Sequence, residues 1–96
     1  MLISDLQKIA HQDAKEKGFW DKERNDGELI ALMHSELSEA LEGLRADSIS
    51  NVAEELADCM IRIADFAEAR SISLTVAIHE KLAFNKTRPY KHGKEF

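Results

Sequence analysis

Two pairs of acidic residues recur with the same spacing in this chain of 96 residues. Glu36 and Glu39 form one pair and Glu55 and Asp58 the other, and in each pair the second acid follows three positions after the first. Residues three positions apart lie on one side of a helix, so each pair would present two carboxylates together. Converging carboxylates repel one another unless a cation neutralises them. An oxygen-only cluster suits a hard ion, so the spacing predicts a site for Mg²⁺, with Mn²⁺ as a substitute.

Four helices account for the apolar periodicity and the capping residues. Ser4 with Gln7 predicts the start of the first helix, and Gly18 before Phe19 predicts its end. The other predicted helices run from Asn25 or Asp26 to about Arg45, from Ser50 or Asn51 to about Arg70, and from Ser71 or Ser73 to about Thr87, ahead of Pro89. Since no strand-like alternation is present and the connections are short, we expect an all-α fold, an antiparallel four-helix bundle in one domain spanning 1–96.

The two acid pairs occupy matching positions on the second and third predicted helices. Glu36 and Glu39 lie roughly 80° and 140° to one side of the apolar stripe, and Glu55 and Asp58 have about the same offsets with the same hand. Both cross-pairs, Glu36 with Asp58 and Glu39 with Glu55, are centred on position 47, inside the turn. In an antiparallel hairpin each cross-pair shares a level, so the sequence predicts that all four carboxylates converge.

The apolar stripes of these helices predict their packed faces. The stripe residues are Ile30, Met33, Leu37, Leu41 and Leu44 in the second helix and Val52, Leu56, Cys59, Ile63 and Phe66 in the third. The acidic flank of the second helix is expected to be partly covered, since it also carries Leu29, Leu32, Ala40 and Gly43. Gly43 leaves room for a ligand or a neighbouring helix. The ordinary alternative for the acids is a solvated surface, with Asp58 and Arg62 forming a salt bridge four positions apart.

Composition limits the classes of function. A net charge of −5 argues against broad binding to nucleic-acid backbones, and no apolar run approaches the ~20 residues of a membrane span. The single cysteine, Cys59, forms no internal disulfide and favours a reducing cytosol, so we expect a cytoplasmic protein without a nucleic-acid or membrane partner. A chain this short has a thin core, and we expect self-association.

The acidic motifs and their setting resemble a known family. The sequence reads Glu36-Leu37-Ser38-Glu39, then fifteen residues, then Glu55-Leu56-Ala57-Asp58, with GFW at Gly18–Trp20 and KLAFNKTRPYKHGK at Lys81–Lys94. This pattern resembles the all-α nucleoside triphosphate pyrophosphohydrolases, the MazG-like group with its dUTPase and dCTPase relatives, over nearly the whole chain. The resemblance implies a MazG-type bundle forming a homodimer or homotetramer, with each site near a subunit boundary.

The same resemblance implies an activity and its metal ligands. The reaction would be Mg²⁺-dependent hydrolysis of a (deoxy)nucleoside triphosphate to the monophosphate and pyrophosphate. By motif match, the metal ligands would be Glu36, Glu39, Glu55 and Asp58. A carboxylate not fully committed to the metal, Glu39 or Glu36, would take a proton from the attacking water.

Residues outside the acid pairs are candidates for substrate binding. The basic tail, about 88–96, together with Lys81, Asn85, Arg88 and Lys91, offers groups for the phosphates, the alternative being a solvated terminus. Trp20 is the candidate for stacking on a nucleobase, the alternative being a core anchor beside Phe19. His11 would border the base, and Asp65 would lie in the outer part of the site.

Three other functions fit some of these features. Phosphoribosyl-ATP pyrophosphohydrolases share the helical plan and the acid motif. A non-catalytic oligomerisation module would need none of the four acids. A di-iron bundle would need Glu-x-x-His pairs, which neither acidic pair provides. The histidines at 34, 79 and 92 have no partner at zinc-binding spacing.

Overall fold

Four α-helices and no strand make up the computed structural model, which describes every residue from Met1 to Phe96. The helices are α1 (Ile3–Glu16), α2 (Asp26–Arg45), α3 (Ile49–Ala69) and α4 (Leu74–Lys86), followed by a short 3-10 turn at Tyr90–Gly93. The all-α prediction is therefore confirmed. None of the helices combines the length and the apolar character that crossing a bilayer requires.

Side-chain caps fix the starts of α2 and α4 where the sequence predicted them. The Asn25 side chain accepts a hydrogen bond from the backbone N–H of Glu28 at 3.1 Å, and the Ser73 hydroxyl accepts one from Val76 at 3.3 Å. Such caps satisfy N–H groups that have no partner inside the helix. The predicted end of α1 is also confirmed, since Gly18 has a φ of 86° just beyond it.

The starts of α1 and α3 differ from their predictions. Ser4 does not cap α1, because the amide of Gln7 is used elsewhere: it donates to the carbonyl of Ile72 at 2.7 Å and accepts from Leu74 N–H at 3.0 Å, which ties α1 to the start of α4. The cap of α3 is Ser48 rather than Ser50 or Asn51, because the Ser48 hydroxyl accepts a hydrogen bond from the backbone N–H of Asn51 in the first turn of the helix.

The helix α3 lies at the centre of the fold. It packs against α2 along one side and α1 along another, whereas α4 has its main contact with α1 and contributes no buried residue. The predicted bundle is thus formed by α1, α2 and α3, with α4 at its margin. The short turn between α2 and α3 makes these two helices an antiparallel hairpin, and this hairpin carries both acid pairs.

Small residues bring α2 and α3 close together. The buried residues of α2 are Leu29, Met33, Glu36, Ala40 and Gly43. A Cβ atom added to Gly43 would lie 3.2 Å from Val52 Cγ2 and 3.3 Å from the Val52 backbone nitrogen. The Cys59 thiol is buried at the same contact and donates to the Met33 carbonyl at 3.6 Å, as expected for a core cysteine. The acidic flank is therefore the packed face of α2.

Most of the predicted apolar stripe is exposed instead of buried. We call this surface the leucine face; it consists of Ile30, Leu37, Leu41 and Leu44 of α2 and Leu56, Met60 and Ile63 of α3. These side chains are between 36% and 60% exposed. The prediction was wrong here because the hairpin packs through the flank that carries Ala40 and Gly43, where backbones can approach closely. In both helices the acidic flank lies to the same rotational side of the apolar stripe. Because the helices are antiparallel and these flanks face each other, the two stripes lie on one side of the hairpin and together form the leucine face.

Candidate metal centre

Three of the four predicted carboxylates meet across the α2–α3 hairpin. Oxygen atoms of Glu36, Glu39 and Glu55 all lie within 4.8 Å of one another, and we call these residues the acidic cluster. Glu36 is buried at 7% exposure, Glu55 is half-buried and Glu39 is exposed. Three convergent carboxylates, one of them open to solvent, form a group that can hold a metal ion.

Asp58 lies beside the acidic cluster rather than inside it. It lines an open pocket of about 280 Å³ together with Phe19, Arg24, Glu36, Ile61 and Arg62, which we call the Arg24–Arg62 pocket. Glu36 belongs to both the cluster and this pocket, so the two adjoin. Coordination by Asp58 stays a prediction.

Arg62 supplies the positive charge next to the acidic cluster. Its Nε donates to Glu36 Oε1 at 2.8 Å, and this hydrogen bond holds the pKa of the Glu36 carboxyl below its usual value. The alternative pairing of Arg62 with Asp58 is therefore wrong, because Arg62 reaches across the hairpin to α2. A single guanidinium offsets only one of the neighbouring carboxylates, so negative charge remains in the cluster that a further cation could neutralise.

Glu55 shows the effect of that remaining negative charge. Hydrogen bonding with Glu36, and then with Glu39, raises the pKa of Glu55 to about 7. The Oε2 atom of Glu55 is shielded from solvent, and no donor reaches it while its neighbours are ionised. A proton on Glu55 gives the cluster a donor, and a metal ion would satisfy the same oxygen. The donor set therefore fits a hard divalent cation.

His11, Trp20 and Asp65 come together about two helical turns along α3 from Asp58. Asp65 Oδ1 accepts from Trp20 Nε1 at 2.9 Å and pairs with His11 Nδ1 at 2.8 Å. The two rings meet edge to face, with centroids 5.2 Å apart. The structure thus brings together the residues predicted to surround a base, and Asp65 fixes the orientation of the indole.

Two arginines that sequence reasoning missed surround Trp20. The guanidinium of Arg24 lies 5.2 Å from the Trp20 ring centre and 5.9 Å from that of Phe19. Arg70 lies 5.6 Å from the Trp20 ring centre and also bonds Asp26 at 2.9 Å. Arg24 also lines the Arg24–Arg62 pocket, so it joins the aromatic corner to the acidic cluster. Nothing in the sequence indicated that Arg24 or Arg70 would lie beside Trp20.

The predicted phosphate-binding residues of the C-terminal region lie elsewhere in the chain. Lys81 and Arg88 lie over the Phe84 ring, 4.9 and 5.6 Å from its centre, and Asn85 has a buried Oδ1 without a partner. Lys91 belongs to the 3-10 turn. No residue of α4 lines the Arg24–Arg62 pocket. Within one chain, the structure does not bring these side chains to the acidic cluster.

Comparison with models of protein families, with curated proteins and with solved structures found no match for this chain. The resemblance to the MazG-like group therefore stays a prediction from the motif residues. The function is inferred from the acidic cluster and the side chains around it.

Proposed function

We propose that this protein is a Mg²⁺-dependent nucleotide pyrophosphohydrolase that converts a (deoxy)nucleoside triphosphate to the monophosphate and pyrophosphate. The observation that carries the proposal is the convergence of Glu36, Glu39 and Glu55 within 4.8 Å, with one arginine as counter-charge. Triphosphates carry several negative charges, and their hydrolysis needs cations that bridge phosphate oxygens. An oxygen-only cluster could hold such a cation, and the open, arginine-lined pocket beside it could receive the phosphates.

The acidic cluster divides into residues with different roles. Glu36, Glu39 and Glu55 would hold the metal, with Asp58 at the edge. When bound, Mg²⁺ neutralises phosphate charge and makes a coordinated water more acidic. Glu36 is committed to Arg62, and its neighbours raise the pKa of Glu55 to about 7, whereas Glu39 is exposed and bonded to no cation. Glu39 is therefore the group we assign to take the proton from the water that attacks the α-phosphorus.

The corner formed by Trp20 and His11 supports binding of a nucleobase. An indole gives a large flat surface for a base ring, and Asp65 holds that indole by its Nε1–H. His11 adds a polar edge next to the ring. Phe19 and Arg24 connect this corner to the Arg24–Arg62 pocket, so a single extended ligand could touch both.

Self-association is the second part of the proposal. The chain exposes 7435 Å², whereas a compact monomer of its mass would expose about 5,600 Å². The excess is comparable to the area that each chain buries in a large homodimer interface, roughly 1,000–2,500 Å². The leucine face offers an apolar surface for such a contact. A homodimer is the simplest assembly that covers it, and this surface also suits the non-catalytic oligomerisation module.

A substrate panel tests the activity. The common ribo- and deoxyribonucleoside triphosphates and phosphoribosyl-ATP are each incubated with Mg²⁺ or Mn²⁺, and monophosphate and pyrophosphate are quantified. Glu39→Gln should lower turnover by about 100-fold or more, as expected for loss of a general base. Glu42→Gln is the matched control, because Glu42 lies on the exposed surface of α2 and pairs only with Arg45. If no triphosphate yields a monophosphate, the oligomerisation module is the better account.

A further inference from the structure

We infer that Arg24 and Arg62 form a phosphate-binding pair in the pocket beside the acidic cluster, where they hold the phosphates that leave as pyrophosphate. This inference rests on the proposed hydrolysis of triphosphates. It places the phosphate contacts within the helical core of one chain, on residues of the α1–α2 connection and α3, instead of on α4 and the basic tail.

Both guanidinium groups have unused hydrogen-bond donors. Arg62 uses only its Nε, on Glu36, and its terminal nitrogens bond no other protein group. Arg24 makes no hydrogen bond or ion pair and is held by stacking on Phe19 and Trp20. Guanidinium groups in proteins stay charged and carry several N–H groups in a planar fork. Two such forks in one pocket present several unused N–H donors beside the carboxylates of Glu36 and Asp58.

The chemistry of these donors favours a phosphate. A guanidinium fork matches two oxygens of a phosphoryl group and binds them with charge-assisted hydrogen bonds. Negative charge from Glu36 and Asp58 in the same pocket would repel a free anion, so we expect phosphate to enter together with the cation that the cluster holds. The α-phosphate would then lie near the acidic cluster, and the β- and γ-phosphates would lie against the two arginines.

The exposure of Arg62 argues against a purely structural ion pair. Its side chain is 39% exposed, whereas the side chain of Glu36 is 9% exposed. The guanidinium therefore neutralises a buried carboxylate on one edge and meets the open pocket with the other. Lys81 and Arg88 do not compete for this role within the chain, since neither of them lines the pocket.

Binding of inorganic pyrophosphate in the presence of Mg²⁺, measured by calorimetry, tests the pair without requiring turnover. Arg24→Gln removes one charge that has no structural hydrogen bond, and Arg62→Lys keeps a cation near Glu36 but removes the fork. Each should weaken pyrophosphate binding by about tenfold, as expected for lost charge-assisted hydrogen bonds. Arg45→Gln is the matched control, because Arg45 is exposed and pairs only with Glu42; its affinity should stay within about twofold of wild type.

Several results separate this inference from the proposed activity. If both variants melt like the wild type and bind pyrophosphate within about twofold of it, or if Arg88→Gln alone weakens binding, the arginine pair is overturned while the activity stands. Failure of the wild type to bind pyrophosphate also overturns the pair. If the wild type binds pyrophosphate through both arginines but hydrolyses no triphosphate, the proposed activity fails and the binding site stands.

Discussion

At the scale of single residues, the acidic cluster is a set of carboxylates with unequal proton affinities. Arg62 lowers the pKa of Glu36, while Glu36 and Glu39 together raise that of Glu55 to about 7. In the metal-free protein, a proton on Glu55 relieves part of the repulsion. Metal binding would displace this proton, so affinity for Mg²⁺ should rise with pH through about 7.

The raised pKa of Glu55 predicts a pH dependence of stability. Between its ordinary pKa of 4.5 and its folded value of about 7, the native state binds more protons at Glu55 than the unfolded chain does. The free energy of unfolding therefore falls as pH rises through this window. Melting of the metal-free protein between pH 5 and 8 should show the decline, and Mg²⁺ should reverse it. Glu55→Gln should remove the decline, and an unchanged slope in that variant would show that another group is responsible.

Arg62→Ala tests the counter-charge of Glu36. The substitution leaves a buried carboxylate without its hydrogen-bond donor, so we expect a loss of about 1 kcal/mol in the free energy of unfolding, since Arg62 is partly exposed and solvent screens the pair. Urea unfolding with and without Mg²⁺ measures this loss, which the metal should offset. Arg45→Ala, at an exposed pair, should change stability far less, and equal effects would contradict a special role for Arg62.

At the scale of elements, the α2–α3 hairpin depends on the close approach at Gly43. Gly43→Leu should lower the free energy of unfolding by about 1–3 kcal/mol, because even a Cβ at this position would lie only 3.2 Å from Val52 and the further atoms of leucine would crowd α3. The substitution should also weaken Mg²⁺ binding, because the acidic cluster is formed by residues of both helices and moving the helices apart would separate them. Ala31→Leu, on an exposed position of the same helix, is the control. If Gly43→Leu binds Mg²⁺ as tightly as the wild type does, metal binding does not depend on the close approach of α2 and α3.

The hairpin also shows what the sequence can predict. Helical spacing placed Glu36, Glu39 and Glu55 together correctly, because the turn between the helices is short and the offsets share one hand. The packed face was predicted wrongly, because periodicity identifies an apolar stripe but does not say whether the same chain covers it. Arg62 was paired with Asp58 instead of Glu36, and Arg24 was missed, because Glu36 and Trp20 meet these arginines only in the folded chain.

At the scale of the whole molecule, the chain is more open than a compact domain. Its radius of gyration is 15.7 Å, whereas a compact domain of this length has about 12.5 Å. The helix α4 carries exposed Val76, Leu82 and Phe84 and adds nothing buried to the core. Together with the leucine face, these features support an assembly of two copies.

Substitutions on the leucine face test that assembly. Leu37→Asp and Leu41→Asp should each convert a wild-type dimer to a monomer, because a charge at the centre of an apolar interface would be buried without a partner. Light scattering coupled to size exclusion measures the mass directly. Ala31→Asp, on an exposed part of α2 outside the leucine face, should leave the dimer intact. A wild-type mass of 10.9 kDa at micromolar concentration would contradict the assembly.

The most direct test of the central claim, hydrolysis of a triphosphate at the acidic cluster, follows the oxygen of water. The preferred triphosphate is incubated with Mg²⁺ in ¹⁸O-labelled water, and the products are analysed by phosphorus NMR and mass spectrometry. Attack at the α-phosphorus predicts label in the monophosphate and unlabelled pyrophosphate in equal amount. Turnover should fall by about 100-fold or more in Glu39→Gln and stop with a chelator. Label in the pyrophosphate, or undiminished product from Glu39→Gln, would contradict the claim.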